Sequence, residues 1–434
     1  MFDSVKNTLR VKEVQKKLFF DLLILIIVRA VSQLPLPGIH TDFFKSYFAG
    51  NDAYSFLNAF TGGGFENFSI FALSITPYIT ATIIVQLLTI AIPSLEEISR
   101  DGEEGRKKLE KISRWLTVAL SLFESTAMCI GFRNQLMIDF SVVNVIMTVS
   151  VLTAGSCTLM WLGNQIDEKG LGNGISIILL YNILSRVPQD MITLYDNFVK
   201  GKTIAKAAVT WAVIFGVIIG ITVLTTVLNG AERRIPVQYS QKMVGRRMVG
   251  VQGSEIPLKV NTGGVIPVIF ASSIMSFPGI IVAFIGKRPG GWAGTILDML
   301  SSNNWFRPSD WFLTIGLGLY IVLVVFFAYF YTSITFNPME IADNLKKSGG
   351  MIPGIRPGKP TEDYLNRILK YIIFIGAIGL VIVCAIPFVI NGLSGANVSF
   401  GGTSLIIIVS VILETIGQTE ALTADKKYKG FLLG

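Results

Sequence analysis

The chain has 434 residues, of which 51% are hydrophobic and only 15% charged, with a net charge of +8 and a mean hydropathy of +0.59. That is more apolar than soluble domains, and together with repeated apolar runs of about 20 residues it excludes a water-soluble globule in favour of a polytopic membrane protein.

Hydropathy predicts ten membrane spans, near 18–34, 70–92, 113–132, 142–162, 174–187, 207–229, 264–285, 311–333, 368–390 and 402–420. The first is read as a retained span, because no small-residue cleavage pattern follows it and Pro35-Leu36-Pro37-Gly38 leads into further structure. It carries Asp21 and Arg29, which are expected to reach headgroups from opposite ends of the span.

The loop 36–69 contains Phe56-Leu57-Asn58-Ala59-Phe60-Thr61-Gly62-Gly63-Gly64-Phe65. It is too apolar for a solvated linker and too broken to span, so a short helix folded back on a flexible glycine hinge is expected. After the glycines comes Ile75-Thr76-Pro77-Tyr78-Ile79, and far downstream Thr262-Gly263-Gly264 leads to Val265-Ile266-Pro267-Val268-Ile269. A proline inside a lipid-buried helix frees a carbonyl and is tolerated where the helix faces protein or a cavity. Matching Gly/Pro-marked spans in two halves point to an internal repeat with its site between the halves.

The third and tenth spans hold Glu124 and Glu414. Intramembrane acids suggest function by default, here an ion-coupled secondary transporter; the plainer reading is a buried hydrogen-bond partner or a water-facing residue. Cys129, Cys157 and Cys384 lie in spans without metal spacing and read as small core residues. His40, the single histidine, argues against histidine metal sites or proton relays. Gly172-Asn173-Gly174-Ile175-Ser176 lacks the preceding strand and following Lys-Ser/Thr of a phosphate loop, and is read as a turn starting the fifth span, with Asn173 or Ser176 at its N-terminus.

Five spans on either side of a linker near 190–205 divide the chain into halves 1–200 and 201–434. An odd number per half requires the repeat to be inverted. With a cytoplasmic N-terminus, 27 of the 37 Lys and Arg fall in inside segments, so both ends are placed in the cytoplasm. The inside loops 230–261 and 336–367 are expected to be rigid basic projections; Arg246, Arg247 and Arg356, on Gly/Pro turns, suit a partner's carboxylates or phosphates as well as a plain solvated face. No HExxH, GxSxG or Walker A sequence occurs, so neither an enzyme nor a cofactor is implied.

The run Ile75-Thr76-Pro77-Tyr78-Ile79-Thr80-Ala81-Thr82-Ile83-Ile84-Val85-Gln86-Leu87-Leu88 resembles the second-span signature of the SecY family of protein-conducting channels. Gly170–Ser176, Gly264–Ser273, Ala342–Gly349, Pro353–Gly358 and Gly401–Leu405 resemble it in family order, with Ser74 and Asn164 as departures, where Gly and an acid are usual. The resemblance implies an all-α membrane protein whose two five-helix halves form a clamshell around an hourglass pore in the bacterial inner membrane. It implies a pore ring of Ile75, Ile79, Leu179, Ile183, Ile269 and Ile407 and a plug near 53–68 that includes Phe56, Leu57, Phe60, Gly62, Gly63, Gly64 and Phe65. It implies a lateral gate of the second and seventh spans, with Thr80, Gln86 and Phe277 on them. The partners it implies are the small membrane subunits SecE and SecG, the motor ATPase SecA, the ribosome, signal sequences and unfolded secretory chains, and membrane lipids.

Overall fold

The computed structural model describes residues 11–40, 61–132, 137–198, 200, 204–239, 243–244, 247–248, 254–285, 290–301, 304–305, 311–394 and 403–433. Each predicted span overlaps a helix of 16 residues or more, the second starting at Thr76 rather than near 70: α1 Lys12–Ser32, α2 Thr76–Ala91, then, past the short α3 Pro93–Arg100, α4 Gly102–Gly131, α5 Val142–Lys169, α6 Gly174–Phe198, α7 Ile204–Gly230, α8 Ile266–Ile285, and, past the short α9 Trp292–Leu300, α10 Ile315–Thr335. The short α11 Pro338–Lys347 precedes α12 Lys359–Ser394 and α13 Thr403–Leu433. Among the described residues five of these helices are long and apolar enough to cross a membrane on length and hydropathy alone, or six if α2 and the residues after its bend count as one. Charged and polar residues share the length of α1, α4 and α6 and dilute their apolar character.

Local sequence accounts for the breaks. Pro93 pushes Ile92 into extended backbone (φ −115°, ψ 112°), and the chain bends by 107° there. Asn173 opens α6 as the sequence suggests: its side-chain oxygen accepts from Ser176 N at 3.0 Å. Asn337 caps α11 through Glu340 N, with Pro338 in the first turn and Lys346 and Lys347 in the last. The linker is shorter than expected, since α6 continues past Pro188 to Phe198 and α7 starts at Ile204.

The first-half helices α2, α4, α5 and α6 pack in succession, as do α8, α10, α12 and α7 in the second half. The two sets meet where α4 packs on α8 and where α6 packs on α13. Gly172, at φ 82°, lies in the turn before α6, and a Cβ there would come 2.9 Å from Thr415 Oγ1 on α13.

The two basic loops are not separate projections. β1 (Glu232–Tyr239) pairs antiparallel with β4 (Ser254–Lys259) on one side and with β5 (Gly350–Met351) on the other, so one sheet joins both loops. Ile235, Val237 and Leu258 bury against Leu345, Ile352, Leu365 and Ile368, a small core beneath the sheet that also takes in the base of α12. The alternating pattern in β1, with Ile235 and Val237 inward and Arg233 and Arg234 outward, is that of a strand with one wet face.

Candidate functional site

All six expected ring residues lie in one apolar cluster built from both halves. Ile75, Leu179, Ile183, Ile269 and Ile407 are buried, and Ile79 is partly buried against them. Ile75 caps α2; Leu179 and Ile183 are one turn apart on α6; Ile269 is on the first turn of α8 and Ile407 on α13.

The two proline motifs start their helices in the same way. Ile75 O accepts from Tyr78 N and Ile79 N, both at 3.0 Å, and Val265 O accepts from Val268 N and Ile269 N, both at 3.1 Å. Pro77 and Pro267 occupy the second helical position, so neither interrupts a span; a proline there loses no intrahelical bond, because the first N–H groups of a helix have no partner within it. The glycine runs are not counterparts. Residues 62–75 form consecutive turns that separate Gly62-Gly63-Gly64 from α2, and the residue matching Gly264 (φ 58°) is Ser74 (φ 52°).

Two polar clusters that sequence reading missed lie beside these helix starts. In the first half, Ser156 Oγ on α5 donates to Ser74 O at 3.3 Å, and Asn182 Nδ2 on α6 reaches Ser74 Oγ at 3.4 Å. In the second, Asn261 Nδ2 donates to Gly264 O at 3.0 Å and to Asn229 Oδ1 at 2.6 Å, while Asn229 Nδ2 donates to Ser410 Oγ on α13 at 2.7 Å. Ser74 and Gly264 precede the helix starts, so their carbonyls lie outside the helical ladder and take side-chain donors that nothing in the neighbouring sequence announces.

Of the expected plug residues, Phe56, Leu57 and Phe60 lie outside the described residues. The expected short helix falls mostly outside the described residues; Thr61 is helical, and the residues after it form turns with Gly62, Gly63, Phe68 and Ser74 at positive φ. Phe65 and Phe68 bury with Leu36, Met128, Cys129, Phe132 and Leu152 in a second cluster apart from the ring. Only part of the glycine run has hinge-like room. A Cβ on Gly63 would meet nothing within 4 Å, whereas one on Gly62 would lie 2.9 Å from Ser185 Oγ. Arg29 Nη1 donates to Gly62 O at 2.7 Å and to Ser185 Oγ at 3.1 Å, and Arg186 pairs with Glu66 at 3.8 Å.

Arg29 therefore points inward rather than to headgroups, and so does Asp21. The buried Asp21 carboxylate accepts from Leu171 N at 2.9 Å, with Gly170 pressed so close that any Cβ there would collide with it. Cys129 and Cys384 are buried as expected, and Cys157 is partly buried.

Of the expected gate residues, Thr80 donates within its own helix to Thr76 O at 3.0 Å, and Phe277 is half-exposed. Gln86 is partly buried, and its Oε1 finds no hydrogen-bond donor among the described residues. Both helices that carry these residues, α2 and α8, pack on α4. Glu124 is partly buried on α4 and Glu414 is exposed on α13. Among the described residues no group of three or more His, Cys, Asp or Glu could hold a metal ion.

Of the expected docking residues, Arg356 is exposed on the turn between β5 and α12, with its carbonyl held by Thr361 Oγ1 at 2.9 Å. Arg247 is in the two-residue strand β3 (Arg247–Met248), opposite Val244 of β2 (Met243–Val244). Arg246 lies outside the described residues.

The SecY family profile matches residues 69–416. Protein translocase subunit SecY of Halalkalibacterium halodurans is 40% identical over 440 residues, and that of Streptomyces galbus 37% over 449, each alignment covering all of both chains. Among solved structures, a protein-conducting channel superposes with a TM-score of 0.65 at 18% identity, covering 94% of this chain and 93% of the other. Sec61 in the canine ribosome-channel complex superposes at 0.61 with 17% identity and the same coverage.

Proposed function

This chain belongs to the SecY family, and on that premise we propose that it is the pore-forming subunit of a protein-conducting channel in the bacterial inner membrane. It passes unfolded secretory chains across the membrane and releases apolar segments sideways into lipid. The observation that carries this reading is the single apolar cluster in which Ile75, Ile79, Leu179, Ile183, Ile269 and Ile407 converge from α2, α6, α8 and α13. Branched aliphatic side chains seal a narrow constriction by excluding water, and they yield to a passing chain without selecting for its sequence. The two halves, 1–200 and 201–434, act as a clamshell that is in contact through α4 and α8 on one side and through α6 and α13 on the other.

Apolar segments leave between α2 and α8 because they partition favourably into hydrocarbon. Residues near 53–68 act as the plug, with the root of that segment gripped by Arg29 and Arg186. The driving force comes from a cytoplasmic partner, SecA or a ribosome, docked on the basic sheet and its turns, and SecE and SecG complete the complex. This orientation puts both termini in the cytoplasm, which the Lys and Arg distribution supports. The ion-coupled transporter is set aside by family membership.

The test is transport by the purified complex in proteoliposomes with SecA and ATP. A secretory precursor becomes protected from added protease only when this chain is present. Equal protection in liposomes lacking it would refute the reading.

A further inference from the structure

We propose that the two polar clusters at the helix starts are a repeated positioning device that holds the apolar constriction in register, with Ser156 and Asn261 as its key donors. The inference rests on the ring reading but assigns a role to different residues.

Ser74 and Gly264 lie ahead of the first residues of α2 and α8, so their carbonyls stand outside the helical hydrogen-bond ladder. Both residues are in left-handed backbone. A buried carbonyl left without a donor is costly, so another side chain has to supply one. Ser156 Oγ, fully buried on α5, does so for Ser74 at 3.3 Å, and Asn261 Nδ2 does so for Gly264 at 3.0 Å. Asn261 also accepts from Gly264 N through its own backbone oxygen, at 3.4 Å, so it grips that residue from both sides.

Each cluster then reaches the other helix of its half that carries a ring residue. Asn182, which contacts Ser74, directly precedes Ile183 on α6. Asn229 links Asn261 to Ser410, which is one turn from Ile407 on α13. In the first half Ser74 precedes Ile75; in the second, Gly264 lies five residues before Ile269. Both helices that bring ring residues from each half are thus tied by hydrogen bonds at fixed distance from the constriction. Apolar packing is non-directional and leaves rotation and slip about a helix axis weakly defined, whereas hydrogen bonds are directional; those of the second half, at 2.6–3.0 Å, are shorter than those of the first, at 3.3 and 3.4 Å. The two halves use different residue types for the same task, Ser-Ser-Asn in one and Asn-Asn-Ser in the other, so the repeat is invisible as sequence identity.

The experiment compares S156A, N261A and N229D with wild type in the full complex, using resting ion current in planar bilayers. S156A and N261A remove the side-chain donors to the Ser74 and Gly264 carbonyls. Each should raise the resting open probability by about tenfold, equal to about 1.4 kcal/mol. N229D keeps the size of the side chain and an oxygen that accepts from Asn261, and Ser410 can turn its hydroxyl to donate, so it should stay as tight as wild type. Because a general loss of fold would also leak, proteoliposomes of each variant are assayed for SecA-driven transport, which S156A and N261A should retain. Wild-type current in both alanine variants overturns the proposal, and so does a leak in N229D equal to that of N261A. A tight N261A alongside a leaky I407N would reject this positioning role while leaving the ring in place.

Discussion

Ser74 and Gly264 hold the same left-handed backbone, at φ 52° and 58°, each three residues ahead of a proline that opens a helix. The pair marks where the two halves of the chain repeat one local structure. It also shows that the first half keeps a serine in a conformation that glycine adopts without cost.

That equivalence predicts an asymmetric response to substitution. A Cβ on Gly264 would meet nothing within 4 Å, so Gly264→Ala changes conformation alone and should destabilise by about 1–2 kcal/mol. Ser74→Gly removes the same strain but loses the Asn182 contact, and should lie within about 1 kcal/mol of wild type. Thermal unfolding of the detergent-solubilised complex measures both, and a Gly264→Ala variant as stable as wild type would contradict the backbone argument.

Glycines in the helices should divide by their surroundings. At Gly155 a Cβ would lie 2.1 Å from the Ile70 carbonyl oxygen, so Gly155→Ala must push α5 off the turns before α2; a loss of about 3 kcal/mol or more, or failure to assemble, is expected. At Gly216 on α7 nothing lies within 4 Å, and Gly216→Ala should be neutral or stabilising by up to about 1 kcal/mol. Yield and melting temperature should therefore fall for Gly155→Ala and hold or rise for Gly216→Ala.

Ile407→Asn places an amide in a side-chain environment with no exposure. If that environment is the constriction, the polar group favours its wetting and resting conductance rises. Single-channel recording checks this, and an Ile407→Val control, which only trims a methylene, should remain tight.

Arg356→Glu should weaken binding of the cytoplasmic motor or of ribosomes without disturbing the fold, because the side chain is exposed on a turn and surface substitutions usually change stability by no more than about 0.5 kcal/mol. A partner loses a charge-assisted contact and meets repulsion, so affinity for purified SecA or ribosomes should fall. Raising salt should weaken wild-type binding and narrow the difference between the two proteins.

The long apolar helices were legible because apolar runs of membrane length carry their own signal. The start of α6 at Asn173 was legible too, since turn and cap chemistry is local. What stayed hidden depended on contacts between distant residues. Nothing near Asp21 in the chain announces that its partner is the Leu171 amide, and Arg29 gives no local sign that it holds Gly62. The two basic loops read as separate because the pairing of β1 with β5 spans more than 100 residues. The glycine run at 62–64 was matched to Gly263-Gly264 on composition, whereas backbone geometry selects Ser74, a residue whose type gives no hint of positive φ. The proposed ring residues are indistinguishable in sequence from core packing, and only the family resemblance singles them out.

The central claim, that secretory chains pass through the cluster around Ile407, is tested most directly by crosslinking. A secretory precursor stalled part-way through the complex is probed with single cysteines at positions 75, 79, 179, 183, 269 and 407, in a background without the three native cysteines. Ile219 on α7, 60% exposed, serves as the outward-facing control. Disulfide formation from one segment of the stalled chain to all six ring positions, and not to position 219, is the expected result. Crosslinks to position 219 with none to the ring would place the path outside the cluster and contradict the account.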